Sequence, residues 1–342
     1  MFKDMDRNDG VNLSNFYMRR LLRLTPALLV LVVFSYIIEV PNYQNLWHNL
    51  FYINNFYSVA SEALPHTWSL AIEEQFYIVF ALLMVMVKKP QKLLIYLVGL
   101  AVLAVVIKCA MVMQSWSLLN VSFMEFISQP TLFLHYLDTI YIKPYARFGS
   151  FIFGALVMYG YRYKLDSVKA FYATLMGKLT VVMAIIAVMF LSVFLNTDKL
   201  FMQHYALVSF FSYAFTHYLF SAASALIILA LMVDAKSLTL LNKFLSMRVW
   251  YPIAQLAYSI YLFHILVVDH IAGPVIQMLR DNGWIGVELV HSMSILIIFG
   301  LTLFFSLCVS ALVYILVERP FMILRDKYFV AKKTPELNLN RA

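Results

Sequence analysis

Apolar residues in this chain come in long blocks that polar connections separate. A block of about 17–25 apolar residues is long enough to cross a bilayer core as a helix. The blocks lack the period-two alternation of barrel strands, and lipid offers backbone groups no hydrogen-bond partner. We therefore predict an all-α, polytopic integral membrane helix bundle of about eight transmembrane helices. The predicted spans are residues 24–40, 67–87, 93–113, 145–161, 178–195, 212–233, 252–270 and 291–317.

Composition supports this prediction. Hydrophobic residues make up 63% of the 342, charged residues make up 13%, and the mean hydropathy is +0.79. A soluble domain carries about 25% charged residues, so this chain has too little polar surface to cover a particle in water. The two cysteines, Cys109 and Cys308, both lie inside apolar blocks. That placement argues against a disulfide scaffold or a paired-cysteine metal site.

The basic residues predict the orientation in the membrane. With the N-terminus in the cytoplasm, nearly all Lys and Arg residues fall on the cytoplasmic side, and the outer connections hold only Lys143, Lys199 and Arg280. By the positive-inside rule, both termini are then cytoplasmic. Because the net charge of +8 is spread along one membrane face, we expect no nucleic-acid partner. We expect a cytoplasmic segment at 1–23, the helix bundle at 24–317 and a cytoplasmic tail at 318–342.

Two arginines mark the cytoplasmic entry to the first span. Arg20 and Arg23 are three residues apart, so they share one face of a helix. Two guanidinium groups there could clamp a phosphate or pyrophosphate. The alternative is that they are ordinary juxtamembrane basic residues, which hold the orientation and contact anionic lipid.

Several polar residues also lie near the start of the second predicted span. Ser69, Glu73 and Tyr77 are spaced at i, i+4 and i+8, which places them on one helical face. A carboxylate in an apolar span is costly and is a functional-site hypothesis by default. Glu74 is adjacent to Glu73 and points in a different direction. The alternative is that both carboxylates lie close enough to the surface to stay hydrated.

Other polar residues within the spans allow more than one interpretation. Arg147 could neutralise Glu73 or Glu74, bind substrate, or simply extend its charge to the surface. His264 could act as a base, an acid or a hydrogen-bond donor, or be a structural histidine bonded to a neighbouring helix. Lys108 and His217 are single residues that could equally sit at a helix end.

Motifs of soluble enzymes are missing from the sequence. It contains no Gly-rich phosphate loop, no HExxH, no GxSxG and no paired Cys/His spacing for a metal. We therefore expect no metal site and no bound cofactor.

Five segments, in the same order, resemble the bacterial acyltransferase-3 family of multi-pass membrane acyltransferases. Together they extend across nearly the whole chain. The segments are Phe16-Tyr-Met-Arg-Arg-Leu-Leu-Arg-Leu-Thr-Pro26, Thr67-Trp-Ser-Leu-Ala-Ile-Glu-Glu-Gln-Phe-Tyr77, Arg147-Phe-Gly-Ser-Phe-Ile-Phe-Gly154, Ala257-Tyr-Ser-Ile-Tyr-Leu-Phe-His264 and Val317-Glu-Arg-Pro-Phe321.

The resemblance implies an enzyme of the bacterial inner membrane that transfers an acyl group, usually acetyl. The donor would be cytoplasmic acyl-CoA, used as a co-substrate. The acceptor would be a hydroxyl of an envelope polysaccharide, such as lipopolysaccharide, or of a lipid-linked glycan. The corresponding site residues fall into three sets: Arg20 and Arg23 for the donor, Glu73 and His264 for catalysis, and Trp68, Glu74 and Arg147 on the acceptor side.

The chain also departs from the family pattern. Members usually have ten core helices, and the first of two additional N-terminal helices carries a histidine proposed as the catalytic base. Here the chain begins just before the Arg20–Arg23 segment, and its first histidine is His48. The alternative expectation is therefore a truncated, catalytically inactive or transport-like membrane protein with the same fold.

Overall fold

The computed structural model describes residues 12–87, 90–119, 121, 128–194, 205–283 and 290–329. Regular structure in these ranges is helical throughout, which confirms the all-α prediction. Residues 1–11 of the predicted cytoplasmic segment and residues 330–342 of the predicted tail lie outside these ranges. The α-helices are α1 (Leu13–Ile37), α2 (Leu46–Leu50), α3 (Trp68–Met86), α4 (Pro90–Gln114), α5 (Pro130–Tyr136), α6 (Pro144–Tyr163), α7 (Leu165–Ala173), α8 (Leu175–Phe194), α9 (Tyr205–Met232), α10 (Thr239–Leu245), α11 (Trp250–Val267), α12 (Gly273–Asp281), α13 (Val290–Val313) and α14 (Arg319–Phe329).

Every predicted span coincides with a helix. Seven stretches within the described ranges are long and apolar enough to cross a membrane, and these confirm a multi-pass membrane protein. The predicted span at 145–161 corresponds to α6, which is a helix but is not one of these seven. Its sequence includes Arg147, Arg162 and several tyrosines, so it is less apolar than the others. The seven stretches are Leu13–Ile37, Pro65–Met86, Lys92–Gln114, Leu175–Ser192, Ala206–Met232, Trp250–Asp281 and Ile295–Phe329.

Helix α1 begins eleven residues before the apolar block that predicted it. The Asn12 side chain caps the helix by accepting a hydrogen bond from the backbone N–H of Asn15 at 3.0 Å. This cap satisfies one of the free N–H groups of the first turn. The basic segment therefore continues into the apolar segment as one helix, and Arg20 and Arg23 share a face of it, as their spacing predicted.

The chain divides into two compact units. The first contains Asn12–Val40 and the chain from Arg248 onward. In it, α1 packs against α14 and α11, and α11 packs against α13. Short π-helical segments, Val268–Ala272 and Tyr314–Glu318, continue α11 into α12 and α13 into α14.

The second unit runs from Pro41 to Met247. Helix α6 is central in it and packs against α3, α4 and α9, while α8 packs against α9. Gly149 permits the close approach of α6 and α9, because a Cβ atom there would lie 2.6 Å from the Tyr218 ring. Large apolar side chains on the outside of both units, such as Ile37 and Met86, are exposed and suit contact with lipid.

Candidate functional site

In the first unit, three of the five family segments meet at one place. The buried hydroxyl of Ser259 on α11 donates a hydrogen bond to the buried carboxylate of Glu318. Arg23 on α1 is an electrostatic neighbour of the same carboxylate. The Tyr258 hydroxyl, in turn, donates to the carbonyl oxygen of Leu24 at 2.8 Å. Residues that are remote in the sequence thus surround one arginine of the predicted donor site.

Arg20 and Arg23 have different environments on α1. Arg23 is exposed, although its charge is near Glu318, whereas Arg20 is half-buried. An exposed guanidinium held near a carboxylate keeps a preferred direction while it can still bind an anion. That arrangement suits recognition of a phosphate group.

In the second unit, two further family segments meet around Arg147. Its guanidinium carbon lies 3.8 Å from the centre of the Tyr141 ring and 5.2 Å from that of Trp68. Its Nε–H donates to the carbonyl oxygen of Tyr141 at 2.7 Å. Two predicted acceptor-side residues, Trp68 and Arg147, are therefore in contact. Within the described part of the chain Arg147 forms no direct ion pair with Glu73 or Glu74.

Lys108 and His217 join this cluster, although the sequence offered no reason to group them. The Lys108 side chain is only 1% exposed, and its Nζ donates to the carbonyl oxygen of Ile140 at 2.5 Å. The His217 ring lies edge-on to Tyr141, with centroids 5.6 Å apart. Both residues are electrostatic neighbours of Arg147. We call Lys108 and Arg147, with the His217 ring beside them, the cationic cluster.

The two predicted catalytic residues belong to different units. Glu73 lies on α3 in the second unit and is half-buried, like its neighbour Glu74. His264 lies on α11 in the first unit, with its Nδ1 atom 2.7 Å from the carbonyl oxygen of Tyr261 on the same helix. Their catalytic roles stay predictions.

A buried polar network holds the connection that precedes α3. His48 Nδ1 lies 2.8 Å from a carboxylate oxygen of Glu62, and the His48 ring stacks on Tyr57 with centroids 3.7 Å apart. Burial raises the pKa of Glu62 above its usual value, while the hydrogen bond to His48 and the charges of His48 and Lys143 oppose that shift. Sequence reasoning missed this pair because an irregular connection has no periodicity to predict a contact 14 residues away.

Asparagines continue the network toward α3. The Asn49 side-chain amide donates to the Leu64 carbonyl oxygen and to the Thr67 hydroxyl oxygen, both at 2.9 Å. Asn55 and Gln75 exchange hydrogen bonds between their side-chain amides at 3.0 and 2.8 Å. Burial of these polar groups is tolerated because they bond one another. The network therefore fixes the chain that leads into the Trp68–Glu74 segment.

Metal coordination has no support in the described ranges, where no group of three His, Cys, Asp or Glu residues is placed to hold an ion.

Comparison with known proteins gives one family and several relatives. The family model described as "Acyltransferase domain" matches residues 6–315. A Staphylococcus aureus (strain COL) protein named "Putative O-acetyltransferase SACOL0978" is 33% identical over 103 residues, which is 25% of this chain and 17% of the relative. The "Peptidoglycan O-acetyltransferase OatA" of Listeria monocytogenes is 36% identical over 124 residues, which is 30% of this chain and 20% of the relative.

The matched region covers a fifth or less of the length of these relatives. No solved structure matches the chain. The family match, however, extends over most of the sequence and includes four of the five segments, all except Val317–Phe321. The chain therefore belongs to the acyltransferase domain family.

Proposed function

We propose that this chain is the membrane part of an O-acetyltransferase. It moves an acetyl group from acyl-CoA to a hydroxyl of an envelope polysaccharide or of a lipid-linked glycan. The observation that carries the proposal is the family match over residues 6–315. The names of the relatives support an O-acetyl product, and one of them is named for peptidoglycan.

The proposed donor site is the Arg20–Arg23 face of α1. Acyl-CoA carries a diphosphate and a further phosphate, and guanidinium groups bind such groups through paired, charge-assisted hydrogen bonds. Glu318, itself bonded by Ser259, is an electrostatic neighbour of Arg23. This role suits the predicted orientation in the bacterial inner membrane, in which the start of α1 and both termini face the cytoplasm.

The proposed reaction is a direct acyl transfer. The acceptor hydroxyl oxygen attacks the thioester carbonyl carbon, the carbon–sulfur bond breaks, and the thiol of CoA leaves with a proton. A base that removes the hydroxyl proton assists the attack, and Glu73 and His264 are the predicted candidates. On the acceptor side, Trp68 offers a ring for a sugar to stack on, and Glu74 and Arg147 offer polar contacts.

Donor binding provides the first test. Wild-type protein in neutral detergent is titrated with acetyl-CoA and compared with Arg20→Gln and Arg23→Gln. Losing one charge-assisted contact removes about 1.5–3 kcal/mol, which weakens binding by tenfold or more. Lys169→Gln, an exposed basic residue on α7, is the control and retains wild-type affinity. Equal affinity in all four proteins would remove the donor assignment.

Transfer is measured separately, in membranes supplied with labelled acetyl-CoA. Label is expected in the glycan fraction with wild type, and less of it with Arg23→Gln. Reporter tags fused to each terminus test the orientation, and both are expected on the cytoplasmic side. Wild-type membranes that bind acetyl-CoA but label no glycan would favour a non-catalytic member of the family.

A further inference from the structure

The cationic cluster combines one fully buried side chain, Lys108, with two half-buried ones, Arg147 and His217. Lys108 is among the largest fully buried side chains that the structure describes. Arg147 places Nη2, and His217 places Nδ1, in enclosed positions with no hydrogen-bond partner. Lys108 and Arg147 repel each other, and in the described part of the chain no carboxylate forms an ion pair with either.

Such an arrangement is unfavourable unless an anion completes it. Enclosed donors that bond nothing lose their hydration without compensation, and unpaired buried charges lose more. Within membrane proteins, ionisable residues of this kind mark the paths and sites of ligands. The cluster is therefore suited to an anionic ligand.

The cluster lies near one end of three of the helices. Lys108 is six residues from Gln114, the last residue of α4, which is about 9 Å at 1.5 Å per residue. Arg147 lies in the first turn of α6, and Trp68 begins α3. The free N–H groups at the start of α6 add partial positive charge at the same end.

An apolar groove runs between α3, α4 and α6. It is partly open, has a cavity volume of about 120 Å³, and all of its lining residues except Tyr145 are purely apolar. At the cluster end it is lined by Ile107, next to Lys108, and by Tyr145, two residues before Arg147. The Tyr218 hydroxyl lies 3.3 Å from the carbonyl oxygens of both Ala104 and Tyr145, which joins the two helices there.

Along each helix the residues that line the groove extend away from the end where Lys108 and Arg147 lie. On α3 they continue to Leu83, on α4 to Leu97, and on α6 to Ile152. A ligand that fills both features has one apolar chain and an anionic head. Neither inorganic phosphate nor a neutral lipid satisfies both.

We propose that the groove and the cationic cluster form a site for a single-chain lipid phosphate, with its chain between α3, α4 and α6 and its phosphate at Lys108 and Arg147. The site itself does not depend on acetyl transfer. That the lipid carries the acceptor saccharide rests on the proposed function and follows from the contact of Arg147 with Trp68.

Farnesyl phosphate is the probe, and binding is measured without acetyl-CoA on delipidated protein in neutral detergent. Wild type is expected to bind farnesyl phosphate at least tenfold more tightly than farnesol or inorganic phosphate. Lys108→Met and Arg147→Gln each weaken farnesyl phosphate binding at least tenfold and leave farnesol binding unchanged. Leu100→Trp, which fills the groove, weakens binding of both lipids.

Lys143→Gln is the matched control. Lys143 also donates to a backbone carbonyl oxygen, that of Asn55 at 2.8 Å, but Asp138 and Glu62 lie near its charge. This variant keeps wild-type binding. Lys108→Met also removes a buried charge, so the lipid-free variant is expected to unfold at the wild-type temperature or above it, which separates lost binding from lost fold.

Two results would overturn the proposal. Equal binding of farnesyl phosphate by wild type, Lys108→Met and Arg147→Gln would show that the cations do not hold the phosphate. Inorganic phosphate bound as tightly as farnesyl phosphate would show a site for a free anion, with no part for the groove. Because acetyl-CoA is absent throughout, neither result depends on whether the chain transfers acetyl groups.

Discussion

The hydroxyl of Ser259 donates a hydrogen bond to the carboxylate of Glu318, and both side chains are buried. The two residues are 59 positions apart in the sequence. Their bond connects α11 to the π-helical segment that precedes α14. It also holds the carboxylate that is the electrostatic neighbour of Arg23.

Replacing Ser259 by Ala is expected to destabilise the protein. The Glu318 carboxylate then loses a buried, charge-assisted hydrogen bond, a loss of about 1.5–3 kcal/mol. Thermal unfolding in detergent measures the effect. Ser192→Ala is the control, because the Ser192 hydroxyl is exposed and bonds only the Val188 carbonyl oxygen of its own helix. Equal melting temperatures for the two variants would contradict the importance of the bond.

Arg147→Lys is expected to destabilise the protein, although it preserves the charge at this position of the cationic cluster. Lysine cannot stack a planar group on Tyr141 and Trp68 or donate the Nε–H bond to the Tyr141 carbonyl oxygen. The loss of the ring contacts amounts to about 0.5–2 kcal/mol. Unfolding temperature is the readout, and Arg162→Lys at the other end of α6 is the control. A fully stable Arg147→Lys protein would show that charge alone matters there.

Gly149→Ala is expected to destabilise the packing of α6 on α9. The added Cβ atom would lie 2.6 Å from the Tyr218 ring, and such overpacking costs about 1–3 kcal/mol. Gly154→Ala is the matched control on the same helix, because nothing lies within 4 Å of its Cβ position. Alanine also has the higher helix propensity, so Gly154→Ala is expected to be neutral or stabilising. Equal melting temperatures for the two variants would contradict the close packing of α6 against the Tyr218 ring at Gly149.

Glu62→Gln is expected to change how stability depends on pH. Because burial raises the pKa of Glu62 in the folded protein above its ordinary value of 4.5, the stability that the protonated carboxyl contributes is fully present below pH 4.5. The contribution is lost as the pH rises through the folded pKa. Glutamine cannot ionise, so wild type should lose stability relative to Glu62→Gln as the pH rises above 4.5. A relative gain for wild type over that range would mean that attraction to His48 outweighs burial.

Helix positions were largely predictable, because a membrane-spanning helix depends on the apolarity of its own segment. Two differences have local causes. The Asn12 cap starts α1 eleven residues before the apolar block, since capping acts on the first turn rather than on hydropathy. The polar residues of α6, including Arg147, keep that helix outside the set that is apolar enough to span.

The candidate sites were only partly predictable. The spacing of Arg20 and Arg23 predicted a shared face, because a helix fixes the neighbours of a residue three positions away. The involvement of Lys108 was not predictable, since a single lysine in an apolar block has the same pattern whether it reaches the surface or is buried. His48 and Glu62 gave no periodic signal at all.

The sequence by itself therefore determined that the chain is a helical membrane protein of the acyltransferase type and where most of its helices lie. Tertiary structure alone decided that Ser259 meets Glu318, that Arg147 contacts Tyr141 and Trp68, and that Lys108 is buried beside an apolar groove. The physical reason is that some interactions act locally along the sequence and others join distant parts of it. Backbone hydrogen bonds and apolarity form each span locally, whereas contacts between spans depend on how helices distant in the sequence pack.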